Sequence, residues 1–210
     1  LNGLRGDIEL PNLTGSGTAH WINENQDTTR SEATFGSVLM GPGTVSGEYR
    51  MSRRLILQSN ESIEDILRRD LGLILATEVD RAAINGDGAG KPTGLLQVGI
   101  DKITTQTAFS DTTADMIAAL EMDDYTGTSA FLTSPKVANL CRKLKDTQGH
   151  TLSLDELFHK VRREFTTQVP DTIGTGGNKS ALIYGIWSEL IIAYWSSIDL
   201  MVNPYHPDVA

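Results

Sequence analysis

From Ile63 to Ile84 the apolar residues fall at Ile63, Ile66, Leu67, Leu71, Ile74, Leu75, Val79, Ala82 and Ala83, the spacing of one helix face. No other stretch constrains the fold as tightly. At 1.5 Å of rise per residue the helix should be about 33 Å long. Ser62 is placed to cap it, and Glu64 and Asp65 sit in the first turn, where the helix dipole favours negative charge. Asn85-Gly86 supplies the stop. Arg68, Arg69, Asp70, Glu78, Asp80 and Arg81 cover the other faces.

Upstream, two runs have strand character, Thr34 to Met40 and Glu48 to Leu57, joined by the turn-rich link Gly41 to Gly47. They read as a long hairpin. It holds few large apolar residues, so it has little core of its own and needs a partner surface. Residues 1–30 read as polar loop, broken by Pro11, Gly15 and Gly17, with Trp21 alone among polar neighbours.

Downstream, the glycine-rich stretch Gly86 to Gly94 reads as a flexible turn that reverses the chain. Asp115 to Met122 reads as a helix capped near Asp111 or Thr112, and Ala130 to Thr133 as a short buried strand. Ser134-Pro135 opens a helix through Lys145, with proline at its favoured first position. Ala181 to Met201 carries two apolar runs, read as strands meeting at a tight corner, Trp187-Ser188-Glu189. The element order predicts an α+β fold, not a regular βαβ alternation.

Composition narrows the function. Hydrophobic residues make up 39% and charged residues 21%, a balance that supports a packed core. With 18 basic against 27 acidic residues the net charge is −9, which repels phosphate backbones and argues against direct nucleic-acid binding. A single cysteine, Cys141, excludes an intrachain disulfide and fits folding in a reducing compartment. No apolar run approaches the length of a membrane span. The abrupt ends, Leu1 and Ala210, suggest a processed or truncated piece of a longer protein.

No motif points to catalysis. Gly86-Asp87-Gly88-Ala89-Gly90-Lys91-Pro92-Thr93 has the look of a phosphate cradle, but the glycine spacing of a P-loop fails and Pro92 stands where a magnesium-binding hydroxyl belongs. The loop also follows a helix, the inverse of the P-loop context. Glu156 and His159 have the Glu-x-x-His spacing of di-iron bundles without the second copy that chemistry needs. His20, His150 and His206 have no zinc spacing. Cys141 lies on a predicted apolar helix face with Val137, Leu140 and Leu144, where a buried structural thiol is expected. Catalytic, metal and cofactor sites are therefore not assigned. Arg50, Arg53 and Arg54 form a basic cluster on the second hairpin arm, suited either to an acidic neighbouring subunit or to a solvated strand edge.

Several segments, in order, carry a resemblance. They are Ala19-His20-Trp21-Ile22-Asn23-Glu24; Phe35, Val38, Leu39 and Pro42; Met51 to Ser59; and Asp80 to Gly88 followed by Pro92-Thr93-Gly94-Leu95-Leu96. Leu144 to Gly149, Tyr184-Gly185-Ile186-Trp187-Ser188 and Asn203-Pro204-Tyr205 complete the series. Together these resemble the major capsid proteins of tailed bacteriophages, the Hong Kong 97 fold. Ile186 and Asn203 stand where that family usually has aspartate, and the family continues past this point into more of its peripheral domain.

The resemblance implies an extended loop over residues 1–58, a peripheral-domain spine helix and glycine-rich loop over 59–94, a mixed α+β axial domain over 95–197, and a return to the peripheral domain over 198–210. It implies a non-enzymatic, self-assembling subunit of the icosahedral head of a phage or prophage. Its partners would be copies of itself in pentamers and hexamers, a scaffold or maturation protease, and a portal. DNA would be a partner only by enclosure, and the location would be the virion, assembled in the host cytoplasm. Phe35, Val38, Arg50, Arg53, Arg54 and Asp87 are the expected intersubunit contacts. An encapsulin-type compartment is the nearest rival, and a nucleotide-binding enzyme using residues 86–94 the next.

Overall fold

A computed structural model describes residues 3–24, 27–52, 54, 62–98, 100, 102–103, 105, 107–125, 127–174 and 176–201. The chain divides into two compact units, residues 1–42 with 192–210 and residues 43–191.

In the first unit, strand β1 (Ile8–Gly15) pairs antiparallel with β2 (Thr34–Met40). This corrects two expectations. Residues 8–15 are strand rather than loop, and β2 takes its partner from them rather than from Glu48–Leu57. The register explains the choice, because it sets Leu10 opposite Val38 and Leu13 opposite Phe35, apolar cross-strand pairs that Glu48 and Arg50 cannot offer. Pro11 is tolerated because a two-stranded ribbon has free outer edges, where a missing N–H costs nothing. Of the expected second arm, residues 48–52 lie outside any strand, and Arg53 and Leu55–Ser59 lie outside the described residues. Ser31 pinches the base of the long β1–β2 connection, its Oγ accepting from the Thr18 N–H at 2.9 Å. The same unit holds residues 192–201, where Trp195 Nε1 donates to the Gly6 carbonyl at 2.7 Å.

The second unit opens on the long helix α1 (Ser62–Asn85), about 36 Å by the same rise. It is followed by α2 (Phe109–Met122), β3 (Ser129–Thr133), α3 (Pro135–Lys143), the short α4 (Leu154–Leu157), β4 (Arg162–Phe165) and β5 (Leu182–Ile186). Helix α2 starts six residues before the expected Asp115. The expected cap residues Asp111 and Thr112 lie inside the helix, whose N-cap is Ala108, and the helix absorbs the threonine hydroxyls. The Thr112 hydroxyl donates to the Ala108 carbonyl at 3.3 Å, and that of buried Thr113 to Ser110 at 2.9 Å and Leu157 at 2.8 Å.

The sheet order is β4-β3-β5, with β3–β4 parallel and β3–β5 antiparallel. The fold is α+β, and it contains one parallel crossover, from β3 through α3 and α4 to β4. Strand β4 was not anticipated, since Arg162-Arg163-Glu164 reads as surface. Nor was α4, although Ser153 and Glu156 close a capping box around it. After β5 the Trp187–Glu189 turn supplies the expected corner, but the second run, residues 190–201, forms no strand.

The core sits on the sheet. Phe131 and Phe158 are fully buried, their rings edge to face at 5.3 Å, with Phe109 the same distance from Phe158 and Tyr184 stacked on Phe131 at 4.4 Å. A second cluster, Ile84 with Val169 and Ile183, fastens the C-terminal end of α1 to the sheet. Helix α3 turns Ala138 and Cys141 inward while Leu140 and Leu144 are exposed, so its apolar face is narrower than expected.

Candidate functional site

The chemistry-bearing candidates resolve first. The stretch Gly86–Gly94 reverses the chain as expected, but it is pinned rather than flexible. Two carbonyls left open at the end of α1 accept from beyond the loop, Ala83 from the Leu95 N–H at 2.9 Å and Ile84 from the Leu96 N–H at 3.0 Å, which satisfies groups that a helix terminus otherwise orphans. Gly94 donates to the Gly86 carbonyl at 2.9 Å. Gly86 is obligatory here, since a Cβ would lie 1.9 Å from the Pro92 carbonyl oxygen. The Asp87 carboxylate accepts from the Ala89 N–H at 3.0 Å and faces Lys91 Nζ at 3.4 Å. The Ala89 hydrogen bond, then Lys91, hold that carboxyl below the usual range. The loop's own acid thus occupies the Ala89 N–H and the Lys91 ammonium, two groups that a phosphate would otherwise engage.

Glu156 accepts from the Ser153 N–H at 2.9 Å, and His159 Nε2 lies 3.0 Å from the Ser110 carbonyl, so the Glu-x-x-His pair is a helix cap and a tether. Cys141 is buried, and desolvation pushes its thiol up to about 11, which makes it inert at neutral pH. His20 and His150 lie at the surface, and His206 lies outside the described residues. A hollow of about 400 Å³ beside β3 and β4 is lined by Ala130, Leu132, Arg162, Glu164 and Trp187. The Arg162 charge there is spent on Glu164 at 3.1 Å.

What remains is surface. Among the described residues of the first unit, none is buried. Phe35 is 72% exposed and Val38 52%, and strand alternation places them on opposite faces of the ribbon. Sequence reasoning passed over Leu13, cross-strand from Phe35, and did not count Leu39 among the contacts, though it is 71% exposed on the Phe35 face. The signal that would have found both is the β1–β2 pairing, which the proline and glycines of residues 11–17 disguised. Trp21 and Ile22 project from the β1–β2 connection, fully and half exposed.

Of the basic cluster, Arg50 pairs with Glu48 at 3.1 Å, both side chains largely exposed, Arg54 is exposed, and Arg53 lies outside the described residues. Helix α1 departs from expectation along its first two thirds: Ile66 and Ile74, assigned to its apolar face, are 61% and 48% exposed, as is neighbouring Leu73 at 61%. Full burial begins only at Ala82.

Comparison with known proteins gives this surface a context. A profile of the phage capsid family matches residues 2–208. The chain is 28% identical over 209 residues to the major capsid protein of Halomonas phage phiHAP-1, covering 97% of this chain and 33% of that one. It is 25% identical over 204 residues to the major capsid protein of Klebsiella oxytoca phage phiKO2, covering 89% and 47%. It therefore spans a third to a half of the length of these curated relatives. Among solved structures, the capsid of a native GTA particle superposes with a TM-score of 0.70 at 19% identity, covering 88% of this chain and 70% of the other. A chain of Mycobacterium phage Bobi superposes at 0.64 and 16%, covering 80% and 61%. These structures share the fold.

Proposed function

This chain belongs to the phage capsid family, and on that premise we propose that it is a shell-building subunit, the major capsid protein of a tailed phage or prophage. The observation that carries this reading is the ribbon. Its two faces present Phe35 with Leu39, and Val38, to solvent. A two-stranded ribbon without a buried residue is marginal alone, and an exposed apolar surface of this kind marks an interaction site. A second copy of the same chain is the partner that a symmetric shell supplies.

On this reading the arrangement is that of the Hong Kong 97 fold. Residues 1–58 serve as extended loop, 59–94 as spine helix and glycine-rich loop, 95–197 as axial domain and 198–210 as return. Phe35, Val38, Arg50, Arg53, Arg54 and Asp87 are proposed intersubunit contacts. Of these, Phe35 and Val38 contribute apolar area, and exposed Arg50 and Arg54 contribute steering and register through their charge. Pentamers and hexamers of the chain would enclose double-stranded DNA within the virion, with a scaffold or maturation protease and a portal as further partners and assembly in the host cytoplasm. The subunit works by repeated contacts, not by catalysis.

Electron microscopy of the full-length gene product tests this. Closed shells of uniform diameter are expected, and a protein that stays monomeric across salt and concentration would overturn the reading.

A further inference from the structure

Beyond Pro42 the chain runs along α1 against the helix direction. A Cβ on Gly43 would lie 3.8 Å from Pro92 Cδ, and one on Gly47 would lie 2.8 Å from Leu71 Cδ1 and 3.8 Å from Leu75 Cδ2. Two residues on, the Tyr49 hydroxyl donates to the Asp70 carboxylate. The contacts step from the loop beyond the helix terminus to the middle of the helix. Residues 43–51 belong to no helix or strand, and among the described residues no backbone-to-backbone hydrogen bond holds them. Val45, Tyr49 and Met51 stay roughly two-fifths exposed. A segment held by side chains alone can leave its seat without breaking a ladder or a helix.

We infer that residues 43–51 form a releasable strap, latched onto the middle of α1 by the Tyr49–Asp70 hydrogen bond and seated where Gly47 lets the backbone meet Leu71. The glycine sets the depth of the seat, since any side chain there must first displace Leu71. The phenol sets the hold. Asp70 raises the Tyr49 pKa, so the hydroxyl remains a donor throughout the neutral range. Docked, the strap holds residues 43–51 on α1. Its use follows from the capsid reading and rests on it: the latch keeps the chain leading into the ribbon against its own spine helix until a neighbouring copy takes the ribbon up. The docking itself stands without that reading.

Trypsin on the unassembled full-length chain tests the latch, because cleavage after Arg50 requires the strap to lift. Tyr49→Phe and Asp70→Ala should each raise that rate about threefold to tenfold, the factor of one solvent-facing hydrogen bond. The double variant should go no further, and cleavage after Lys143 should not change. Gly47→Val should speed cleavage after Arg50 by unseating the strap while the hydrogen-bonding pair is intact. Unchanged rates in both single variants, multiplied rates in the double, or equal acceleration at Lys143 would each overturn the strap. If the rates respond but the gene product never forms shells, the strap survives and the capsid reading fails.

Discussion

The sheet around Phe131 and Phe158 and the ribbon of β1 and β2 are both built from short strands with apolar side chains at alternate positions. In the sheet Phe131 reaches zero exposure, whereas in the ribbon Leu13, Phe35, Val38 and Leu39 stay more than half exposed. The difference is not in the strands but in what lies over them. Strand β3 is paired on both sides and covered: Phe158, just past the end of α4, meets Phe131, and Phe109 of α2 packs on Phe158. Among the described residues the ribbon has two strands and no layer that buries it, so its cross-strand pairs fix register while leaving much of its apolar surface wet. On the capsid reading, one region is stable by itself and the other once a neighbouring copy covers it.

The strongest way to break that contrast is to remove a core ring. Phe158→Ala should cost about 3–5 kcal/mol, read as a lower denaturation midpoint with unchanged slope. Cys141 provides a second reading. Buried in the same cluster, with its thiol pushed up to about 11, it should resist a thiol reagent at pH 8 in the native protein and react faster in the variant. If the midpoint does not move, the aromatic cluster is not the core.

Gly86→Ala comes next in size. The new methyl would meet the carbonyl oxygens of Pro92 and Ala82, the latter at 2.6 Å, and backbone cannot step aside as a side chain can. On the order of 2–3 kcal/mol should be lost. The damage should concentrate at the C-terminal end of α1, which amide exchange of Leu95 and Leu96 would report. Exchange confined to the opposite end of the helix would show that α1 is anchored elsewhere.

The ribbon should behave in the opposite way. Phe35→Ser with Leu39→Ser should shift stability by no more than about 0.5 kcal/mol, as exposed substitutions do, yet abolish shell formation seen by microscopy. A large loss of thermal stability would mean that the ribbon is part of a folded core, and normal shells would remove it from the contact surface.

This asymmetry also explains what was legible in the sequence. Strand β3 could be read because its apolar residues are the buried ones, and helix α1 because its helical spacing holds over its whole length whether or not the face is covered. The ribbon's character could be read, but its pairing could not, because Pro11 and Gly15 look like breakers until an edge position makes them harmless. Strand β4 escaped because Arg162 and Glu164 face solvent and satisfy each other, leaving half its residues without a strand signal. The exposed Ile66 and Ile74 mark the limit of the method: periodicity states which face a helix offers, not whether anything in the same unit covers it. The candidate contacts were half legible for the same reason, Phe35 and Val38 by type and Leu13 only once its strand was known.

The smallest effect tests whether the second unit's turns are as self-sufficient as its core. Asp146 closes the turn after α3, its carboxylate accepting from the Gln148 N–H at 2.9 Å and the His150 N–H at 2.8 Å. Those bonds, that of His150 foremost, hold its carboxyl below the usual value of 3.8. A carboxyl depressed in the folded state adds stability that is fully present above the unfolded value and is lost as pH falls through the folded one. The turn should therefore hold at pH 5 and loosen below about pH 4, with the Gln148 and His150 amide resonances moving together while those of β3 stay fixed. Asp146→Asn keeps an acceptor but removes the titration, so it should flatten the acid limb and leave the neutral-pH turn in place. An acid limb that persists in the Asn variant would assign the transition to other carboxylates, and a β3 that moves with the turn would show that the core depends on its loops more than its buried rings imply.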